Sequence, residues 1–411
     1  MSSRHDMDSP AAALRVLHVI SSISRLRGGP SVSVHNMLKA LRRRGITVDL
    51  VATDDDGASA RLDVPRDRFV QIDGQNVRFF PRQTSKYGFS APMLRWLHTH
   101  VHQYDIVHTH GLFSWSPLAA AWCARSAHIP YVMRPAGVLD TWGMRNKSRV
   151  VKALSLRLVE GPLLRSAAAV HFTTPLEQAR AAELTLRIRS VVLPTGVEIE
   201  TAPEGGPEPA DGPALGDRRV ILYLARIHPI KRVDALLQAY AALEQRQSTA
   251  LVIAGDGDAA LLARLKQMAA DLALGNDVHW VGFVHGALKR WLLARATVFV
   301  LPSDSENYGI AVVEAMNAGL PVIVTQGCGL ADFVRQHGAG AITDGTVGGL
   351  RAALAGLLAS ADQGRAMGAA GREAAQRELS LDAFGARLES LYRSVIVDSA
   401  APARTMVPVE P

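Results

Sequence analysis

Two glutamates lie eight positions apart in the segment SENYGIAVVEA, residues 305–315. Glu306 directly follows a predicted strand, and Glu314 lies inside an apolar run in a helix predicted to begin near Gly309. A carboxylate within buried structure needs a partner or a ligand. We therefore expect a ligand across the helix start, contacting Glu306 at one end and Glu314 at the other. The alternative is an acid favoured by the helix dipole beside an unrelated buried glutamate.

Two cations follow the first predicted strand of the second half of the chain, in LARIHPIKR. Arg226 can clamp two oxygens and Lys231 adds a point charge, so the pair suits a diphosphate. A charged surface loop is the alternative. The position at a strand end favours the phosphate site.

Gly28 and Gly29 lie between the first predicted strand and the first predicted helix. Glycines let a backbone approach a phosphate at a helix start, but they also make ordinary turns, and both interpretations stay open. His110 ends the strand in DIVHTHG, where a doubly wound sheet places its ligands. It is therefore a candidate site residue, whereas His108 is interpreted as structural.

Gly255 and Gly257 follow a predicted strand and open a helix, which partly matches a dinucleotide fingerprint. The match lacks its third glycine, where Ala260 stands, and no acid ends a second strand at the required place. A tight turn is the preferred interpretation. Asp256 and Asp258 lack further ligands nearby, so no metal site is predicted.

These residues are positioned by short apolar strands that alternate with amphipathic helices, which predicts parallel sheets with helices on both faces. A segment rich in Pro, Gly and acids interrupts the alternation and indicates a linker. The fold class is therefore α/β, with two Rossmann-like, doubly wound domains facing each other across a cleft. The predicted parts are an N-terminal domain 1–198, a linker 199–217, a C-terminal domain 218–380, a final helix 381–398 that packs on either domain and could return to the first, and a disordered tail 399–411.

The 411 residues suit two domains, and 48% apolar and 20% charged content is typical of a globular protein. No apolar stretch is long enough to span a bilayer, and Cys123 and Cys328 form no framework of disulfides. Residues 1–200 hold 26 Lys and Arg against 16 Asp and Glu, while the remainder holds 19 against 22. The basic first half therefore favours an anionic partner, and no motif indicates nucleic acid.

Seven segments occur in a characteristic order: GGPS, DIVHTHG, RPAGVLDTWGMRNKSRVVKALSLRLVEGPLL, LARIHPIKR, IAGDG, VGFV and SENYGIAVVEAMNAGLPVI. They are spread over most of the chain, from residue 28 to residue 323. The ordered set resembles the retaining family 4 glycosyltransferases of GT-B architecture, especially bacterial enzymes of exopolysaccharide and lipopolysaccharide biosynthesis. The resemblance implies a transferase for hexoses, with an N-terminal domain 1–198 that binds the acceptor and a C-terminal domain 218–380 that binds the nucleotide-sugar.

The resemblance also implies a role at each matching position. Arg226 and Lys231 would hold the donor diphosphate, Glu306 the hydroxyls of the transferred sugar, and His110 the sugar near its reacting carbon; these four would be the catalytic residues. Glu314 would bind the nucleotide ribose. The remaining implied donor-binding positions are Gly28 and Gly29 near the diphosphate, Asn307, Tyr308 and Gly309 around sugar and phosphate, and Phe283 and Val284 at the base.

The implied reaction moves a hexose from a UDP- or GDP-sugar to a hydroxyl of a glycan acceptor, with the anomeric configuration retained. No metal and no cofactor is expected, because basic side chains and a helix start balance the diphosphate. The acceptor is expected on a polyprenyl diphosphate. Two alternatives remain: a nucleotide-sugar-binding protein without catalysis, and a nicotinamide-dependent dehydrogenase.

Residues 144–165 alternate cations with apolar residues at helical spacing. This pattern suits docking at an anionic membrane, although a helix packed on its own domain would show it too. We expect a cytoplasmic protein in peripheral contact with the inner face of the cytoplasmic membrane.

Overall fold

The protein is described here by a computed structural model covering residues 14–24, 28–57, 60–85, 87–139, 149–199, 209 and 212–400. The chain divides into two compact units. Unit 1 is Met1–Gly196 with Leu381–Pro411, and unit 2 is Val197–Ser380. Parts of three sequence predictions lie outside the described residues: 200–208 and 210–211 of the linker, 401–411 of the tail, and 144–148 of the basic segment.

Unit 1 is built on one eight-stranded sheet with the order β3-β4-β2-β1-β5-β6-β7-β8. Its pairs are parallel except for β3 and β4, which are antiparallel. The strands are β1 Arg15–Ile20, β2 Thr47–Thr53, β3 Phe69–Ile72, β4 Gln75–Phe80, β5 Ile106–His110, β6 Tyr131–Arg134, β7 Ala169–Phe172 and β8 Ser190–Val192.

Side chains on a strand alternate between the two faces of a sheet. Both faces of this sheet carry apolar side chains, so helices cover both. On β1, Val16 and Ile20 enter one apolar core, and Leu17 and Val19 enter another. The helices are α1 Gly29–Arg43, α2 Ala91–His100, α3 Trp115–Ser126, α4 Arg149–Ser155, a π-helical stretch Leu156–Glu160, α5 Gly161–Ser166, α6 Pro175–Ala182 and, from the end of the chain, α14 Leu381–Ala400.

The last helix, α14, completes the core that lies on the Val16 face of the unit 1 sheet. Its residues Phe384, Leu388 and Tyr392 are fully buried there, beside Met37 and Leu38 of α1. The chain therefore leaves unit 1 after β8 and returns to it after unit 2.

Unit 2 is a six-stranded parallel sheet with the order β11-β10-β9-β12-β13-β14. Its strands are β9 Arg219–Leu224, β10 Thr249–Ala254, β11 Val278–Gly282, β12 Val298–Leu301, β13 Val322–Thr325 and β14 Gly340–Thr343. Its helices are α7 Val233–Ala241, α8 Ala259–Asp271, α9 Gly286–Arg295, α10 Ile310–Asn317, α11 Ala331–Gln336, α12 Val347–Ala359 and α13 Ala361–Glu378.

The prediction of two doubly wound α/β domains is confirmed by these two sheets. Leu215 lay in the predicted linker, but it is buried in the apolar core of unit 2. Val197 also belongs to unit 2, where it forms a backbone bridge with Ser380. In the described part of the chain, we find no helix that combines the length and apolarity needed to cross a membrane.

Candidate functional site

The candidate residues of unit 2 lie where the strand order of its sheet reverses. From β9 the chain moves outward through β10 and β11, and from β12 it moves the other way through β13 and β14. Arg226 and Lys231 follow β9, and Glu306 follows β12. Parallel strands bring these carboxyl ends to one edge, where open α/β sheets bind their ligands.

The loops after β9 and β12 are hydrogen-bonded to each other. The Ile230 carbonyl accepts from the Asp304 backbone N–H at 2.8 Å and from the Ser303 hydroxyl at 3.1 Å. The Arg232 guanidinium also lies 3.0 Å from an Asp304 carboxylate oxygen. These contacts hold the two loops together, so the side chains they present keep a defined spacing.

Lys231 and Glu306 form an ion pair between these loops, although 75 positions separate them in the sequence. Their side chains are only 12% and 20% exposed. The Glu306 backbone is also anchored, because its N–H donates to Gly327 O at 3.1 Å and its carbonyl accepts from Gly329 N at 2.8 Å. The sequence prediction therefore selected two residues that the fold brings into direct contact.

Glu306 stands immediately before α10, and the turn between them contains Asn307, Tyr308 and Gly309. Gly309 precedes the helix with φ of 92°, a conformation that favours glycine. Tyr308 is buried, and its N–H lies 3.4 Å from a Glu306 carboxylate oxygen. The helix start therefore places backbone groups directly beside the Lys231–Glu306 pair.

Glu314 does have a protein partner, which corrects the expectation that a ligand would serve as its only partner. The Lys289 ammonium of α9 lies 2.8 Å from a Glu314 carboxylate oxygen, and both side chains are largely buried. Lys289 was not predicted as a site residue from the sequence. Its only signal was a lysine in the helix after VGFV, and nothing in the sequence showed which helix that lysine faces.

The other predicted positions of unit 2 have unequal exposure. Arg226 is exposed, and its side chain forms no hydrogen bond or ion pair with any residue that the structure describes. Phe283 is 63% exposed, so its ring could stack on a flat ligand. Val284 is instead buried in the core of unit 2. Its side chain therefore supports the loop by packing.

Gly255 and Gly257 let the loop after β10 pack closely on the loop after β9. A Cβ at Gly255 would lie 1.9 Å from the Ala225 carbonyl oxygen, and one at Gly257 would lie 2.2 Å from that of Ile227. The Ile227 N–H donates to Asp256 O at 2.8 Å. Close backbone packing therefore explains these glycines without a dinucleotide.

Unit 1 also places its candidate residues where its strand order reverses, between β1 and β5. Gly28 and Gly29 follow β1, and His110 ends β5, paired in register with Ile20. Gly28 precedes α1 with φ of 64°. Both glycines are exposed, and a Cβ on either would meet no atom of the described residues within 4 Å. Within the described part of unit 1, nothing therefore covers these two glycines at the start of α1.

His110 is buried rather than projecting freely from the sheet edge. It is 2% exposed, and its Nε2 lies 2.9 Å from Nδ1 of His18. Burial, with the nearby His18 ring and the Arg134 guanidinium, holds the pKa of His110 well below its usual range. The ring is therefore neutral near pH 7, which suits a hydrogen-bonding role better than a charge.

One group among the described residues, His18, His108 and His110, has the spacing of metal ligands, with one nitrogen of each ring within 4.8 Å of the others. Nε2 of His110 bonds to Nδ1 of His18, and the Tyr392 hydroxyl bonds to both His18 and His108. The Arg134 guanidinium adds positive charge nearby. The cluster therefore fits a neutral hydrogen-bonded network better than a cation.

Two family profiles match the chain. The profile "Glycosyl transferase 4-like domain" matches residues 28–196, and "Glycosyl transferases group 1" matches residues 208–374. A GDP-mannose-dependent alpha-(1-6)-phosphatidylinositol monomannoside mannosyltransferase from Mycolicibacterium smegmatis is 33% identical over 48% of this chain and 55% of the relative. The chain thus spans only about half the length of that relative.

Two more comparisons extend over most of the chain. An alpha-monoglucosyldiacylglycerol synthase from Streptococcus pneumoniae is 24% identical over 90% of this chain and 83% of its own. The crystal structure of HepE from Anabaena in complex with UDP superimposes with a TM-score of 0.72, at 20% identity, over 93% of this chain and all of that chain. At that identity the superposition shows a shared fold.

Proposed function

The chain belongs to the family 4 type of GT-B glycosyltransferases, and on that premise we propose that it moves a hexose from a UDP- or GDP-sugar to a hydroxyl of a glycan acceptor. The observation that carries the proposal is the Lys231–Glu306 ion pair at the strand-order reversal of unit 2. It places a cation and a hydrogen-bonding carboxylate side by side, which matches a diphosphate joined to a sugar.

The donor would lie along α10 in the proposed complex. Lys231 and the exposed Arg226 would hold the diphosphate, and Glu306 would accept hydrogen bonds from sugar hydroxyls. Glu314, oriented by Lys289, would accept hydrogen bonds from the nucleotide ribose. The exposed Phe283 ring would stack on the base.

The proposed transfer retains the anomeric configuration. The bond from the anomeric carbon to the diphosphate oxygen breaks, and the bond to the acceptor oxygen forms on the same face. The acceptor proton passes to the departing diphosphate oxygen, because Glu306 and Glu314 are each paired with a lysine. Lys231 and Arg226 would stabilise the developing charge, each by roughly 4 kcal/mol at 4 Å and an effective dielectric of 20.

We further propose that the reaction needs no metal ion, since these two cations and the α10 start can balance the diphosphate. A transfer assay with and without EDTA tests this directly. Unchanged rates are expected, and a loss of activity that Mg²⁺ or Mn²⁺ restores would overturn the metal-independent form of the mechanism.

We also propose a lipid-linked acceptor, such as a glycan on polyprenyl diphosphate, in bacterial surface polysaccharide biosynthesis. The names of two similar proteins contain a lipid, phosphatidylinositol monomannoside in one and diacylglycerol in the other. Unit 1 exposes five apolar side chains within one short helical segment: Val150, Val151, Leu154, Leu158 and Val159. Basic Lys152 and Arg157 lie in the same segment, so it could dock peripherally on the cytoplasmic face of an anionic membrane.

The experiment that tests the function combines binding with turnover. A thermal-shift screen against UDP-, GDP- and ADP-sugars identifies the donor, since a ligand that binds only the folded state raises the melting temperature. Slow hydrolysis of that donor, or transfer to a lipid-extract acceptor, is then measured. Binding with neither reaction would indicate the non-catalytic alternative, and stabilisation by a nicotinamide dinucleotide alone would indicate the dehydrogenase.

A further inference from the structure

A continuous row of hydrogen-bonded rings runs through the buried side of unit 1, from His110 to the backbone near β8. His110 Nε2 lies 2.9 Å from His18 Nδ1, and His18 Nε2 lies 3.3 Å from the Tyr392 hydroxyl. That hydroxyl lies 2.7 Å from His108 Nδ1, and His108 Nε2 lies 3.4 Å from His171 Nδ1. All five side chains are at most 2% exposed.

The row ends on the backbone carbonyl of Leu193, which lies 2.8 Å from His171 Nε2. A carbonyl oxygen can only accept a hydrogen bond, so His171 must carry its proton on Nε2. Burial lowers the pKa of His18 and of His171 to about 3 and holds those of His108 and His110 well below the usual range. Each ring is therefore neutral near pH 7 and has one N–H.

The proton on Nε2 of His171 determines which atom donates and which accepts in every other hydrogen bond of the row. Since His171 Nδ1 has no proton, it accepts from His108 Nε2–H. His108 Nδ1 then accepts from the Tyr392 hydroxyl, whose oxygen accepts from His18 Nε2–H. The remaining nitrogen of His18 accepts from His110 Nε2–H, which leaves Nδ1 of His110 as a bare acceptor.

Nδ1 of His110 has no hydrogen-bond partner among the described residues, although it is fully buried. An unsatisfied buried acceptor is unfavourable, so a bound hydroxyl that donates to it gains free energy. His110 also ends β5 at the strand-order reversal, directly before Gly111. A ligand at this edge of the sheet would therefore meet a ring nitrogen, His110 Nδ1, that can only accept a hydrogen bond.

We propose that His18, Tyr392, His108 and His171 form a positioning relay, oriented by the Leu193 carbonyl, which holds His110 as the Nε2–H tautomer so that its Nδ1 accepts a hydroxyl of a sugar bound at this edge of unit 1. The ligand in this statement rests on the proposed function, but the relay itself does not. Tyr392 is the decisive member. Its hydroxyl joins the His18–His110 pair to the His108–His171 pair, and it comes from α14.

The test is nuclear magnetic resonance of the ligand-free protein with ¹⁵N-labelled histidine rings, which distinguishes protonated from bare ring nitrogens. All four rings are expected to carry their proton on Nε2. Couplings across the hydrogen bonds are expected between His110 and His18 and between His108 and His171. A protonated Nδ1 on any of the four, or the absence of both couplings, would overturn the relay.

Tyr392→Phe tests the direction more sharply. Without the hydroxyl, His108 and His171 are still fixed by Leu193, but the His18–His110 pair can reverse. A share of His110 should then carry its proton on Nδ1, while His171 keeps its proton on Nε2. An unchanged His110 tautomer in a folded variant would contradict the role of Tyr392, and the wild-type spectrum decides if the variant does not fold.

The matched control is Tyr131→Phe. Tyr131 is another buried tyrosine of unit 1, and its hydroxyl bonds Leu163 O at 2.8 Å and the Ser166 hydroxyl at 2.7 Å, outside the relay. The same chemical change should leave the signals of all four histidines in place. Altered His110 signals in this control would mean that any lost hydroxyl in unit 1 disturbs His110, which contradicts a specific relay.

Activity separates the relay from its proposed ligand. Tyr392→Phe should lower kcat/KM for the donor about three- to tenfold, mainly through KM, as expected for one neutral hydrogen bond. Tyr131→Phe should change it less than twofold. A wild-type protein that processes no nucleotide-sugar would refute the proposed function, whereas the ring spectra would still decide the relay.

Discussion

At the scale of single residues, the two glutamates of SENYGIAVVEA are each held by a lysine from a different loop or helix. Lys231 reaches Glu306 from the loop after β9, and Lys289 reaches Glu314 from α9. A charged pair in a partly buried place is favourable only if both partners stay. A ligand that binds at either ion pair must therefore replace one of the two partners or add its own hydrogen bonds to them. Each pair can thus be tested by variants of its own.

Glu306→Gln and Lys231→Ala should each lower kcat by about 100-fold or more, because both residues would contact groups whose charge changes in the transition state. Initial rates with the donor found in the thermal-shift screen measure this. Glu373→Gln, which removes the charge of an exposed ion-paired acid on α13, and Lys266→Ala on the exposed side of α8 are matched controls. Near-normal rates in the two site variants would remove both residues from the mechanism.

Lys289→Ala should instead raise the KM for the donor about tenfold, with kcat nearly unchanged. Glu314 would lose the partner that orients it, and a ribose contact far from the reacting carbon affects ground state and transition state alike. Steady-state kinetics separate the two constants, again with Lys266→Ala as the control. A fall in kcat at constant KM would place Lys289 at the reacting end of the donor.

At the scale of elements, the loop after β9 packs against the loop after β10, which holds it in place. The close approach at Gly255 and Gly257 leaves no room for a side chain, because backbone oxygens occupy that space. The position of Arg226 and Lys231 therefore depends on glycines that contact no predicted ligand group. The same pattern in the sequence had raised the hypothesis of a dinucleotide site.

Gly257→Ala should destabilise the protein by about 1–3 kcal/mol, the usual range for inserting a methyl group where none fits. Gly356→Ala is the matched control, since Gly356 is exposed in α12 and a Cβ there meets no atom within 4 Å. In a helix interior that change should stabilise by about 0.5–1 kcal/mol. Urea unfolding measures both, and equal effects would contradict the close-packing account.

The sequence predicted most of the strands that position the site, because parallel strands buried on both faces are short, continuous apolar runs. It missed β3, a half-exposed antiparallel strand at the sheet edge, and β14, which begins at Gly340. It also could not connect His18 with Tyr392 or Lys289 with Glu314. Those contacts depend on strand order and helix packing, which no local pattern encodes.

At the scale of the whole molecule, positive charge and exposed apolar side chains are both concentrated in unit 1. Residues 1–200 hold ten more basic than acidic side chains, while the remainder is slightly acidic. The segment from Val150 to Val159 exposes five apolar residues, with Val150 79% exposed. An anionic bilayer offers both a charge complement and an apolar layer to such a surface.

Val150→Glu combined with Leu154→Glu should therefore reduce co-sedimentation with anionic vesicles at low salt at least severalfold. Each change replaces an exposed apolar side chain by a charge that the membrane repels. Val397→Glu is the control, because Val397 is 68% exposed on α14, outside this segment. The surface assignment fails if the wild-type protein ignores anionic vesicles, or if the control loses binding equally.

The return of α14 to unit 1 also has a consequence for how the protein is made. Unit 2 is one continuous stretch, Val197–Ser380. All of its strands are therefore synthesised before α14, and its core can form first. Unit 1 needs Phe384, Leu388 and Tyr392, which emerge only after unit 2 has been synthesised. At about 5–20 residues per second, the part of the unit 1 core that α14 completes stays uncovered for roughly ten seconds or more during translation. Chaperone binding would be most useful in that period.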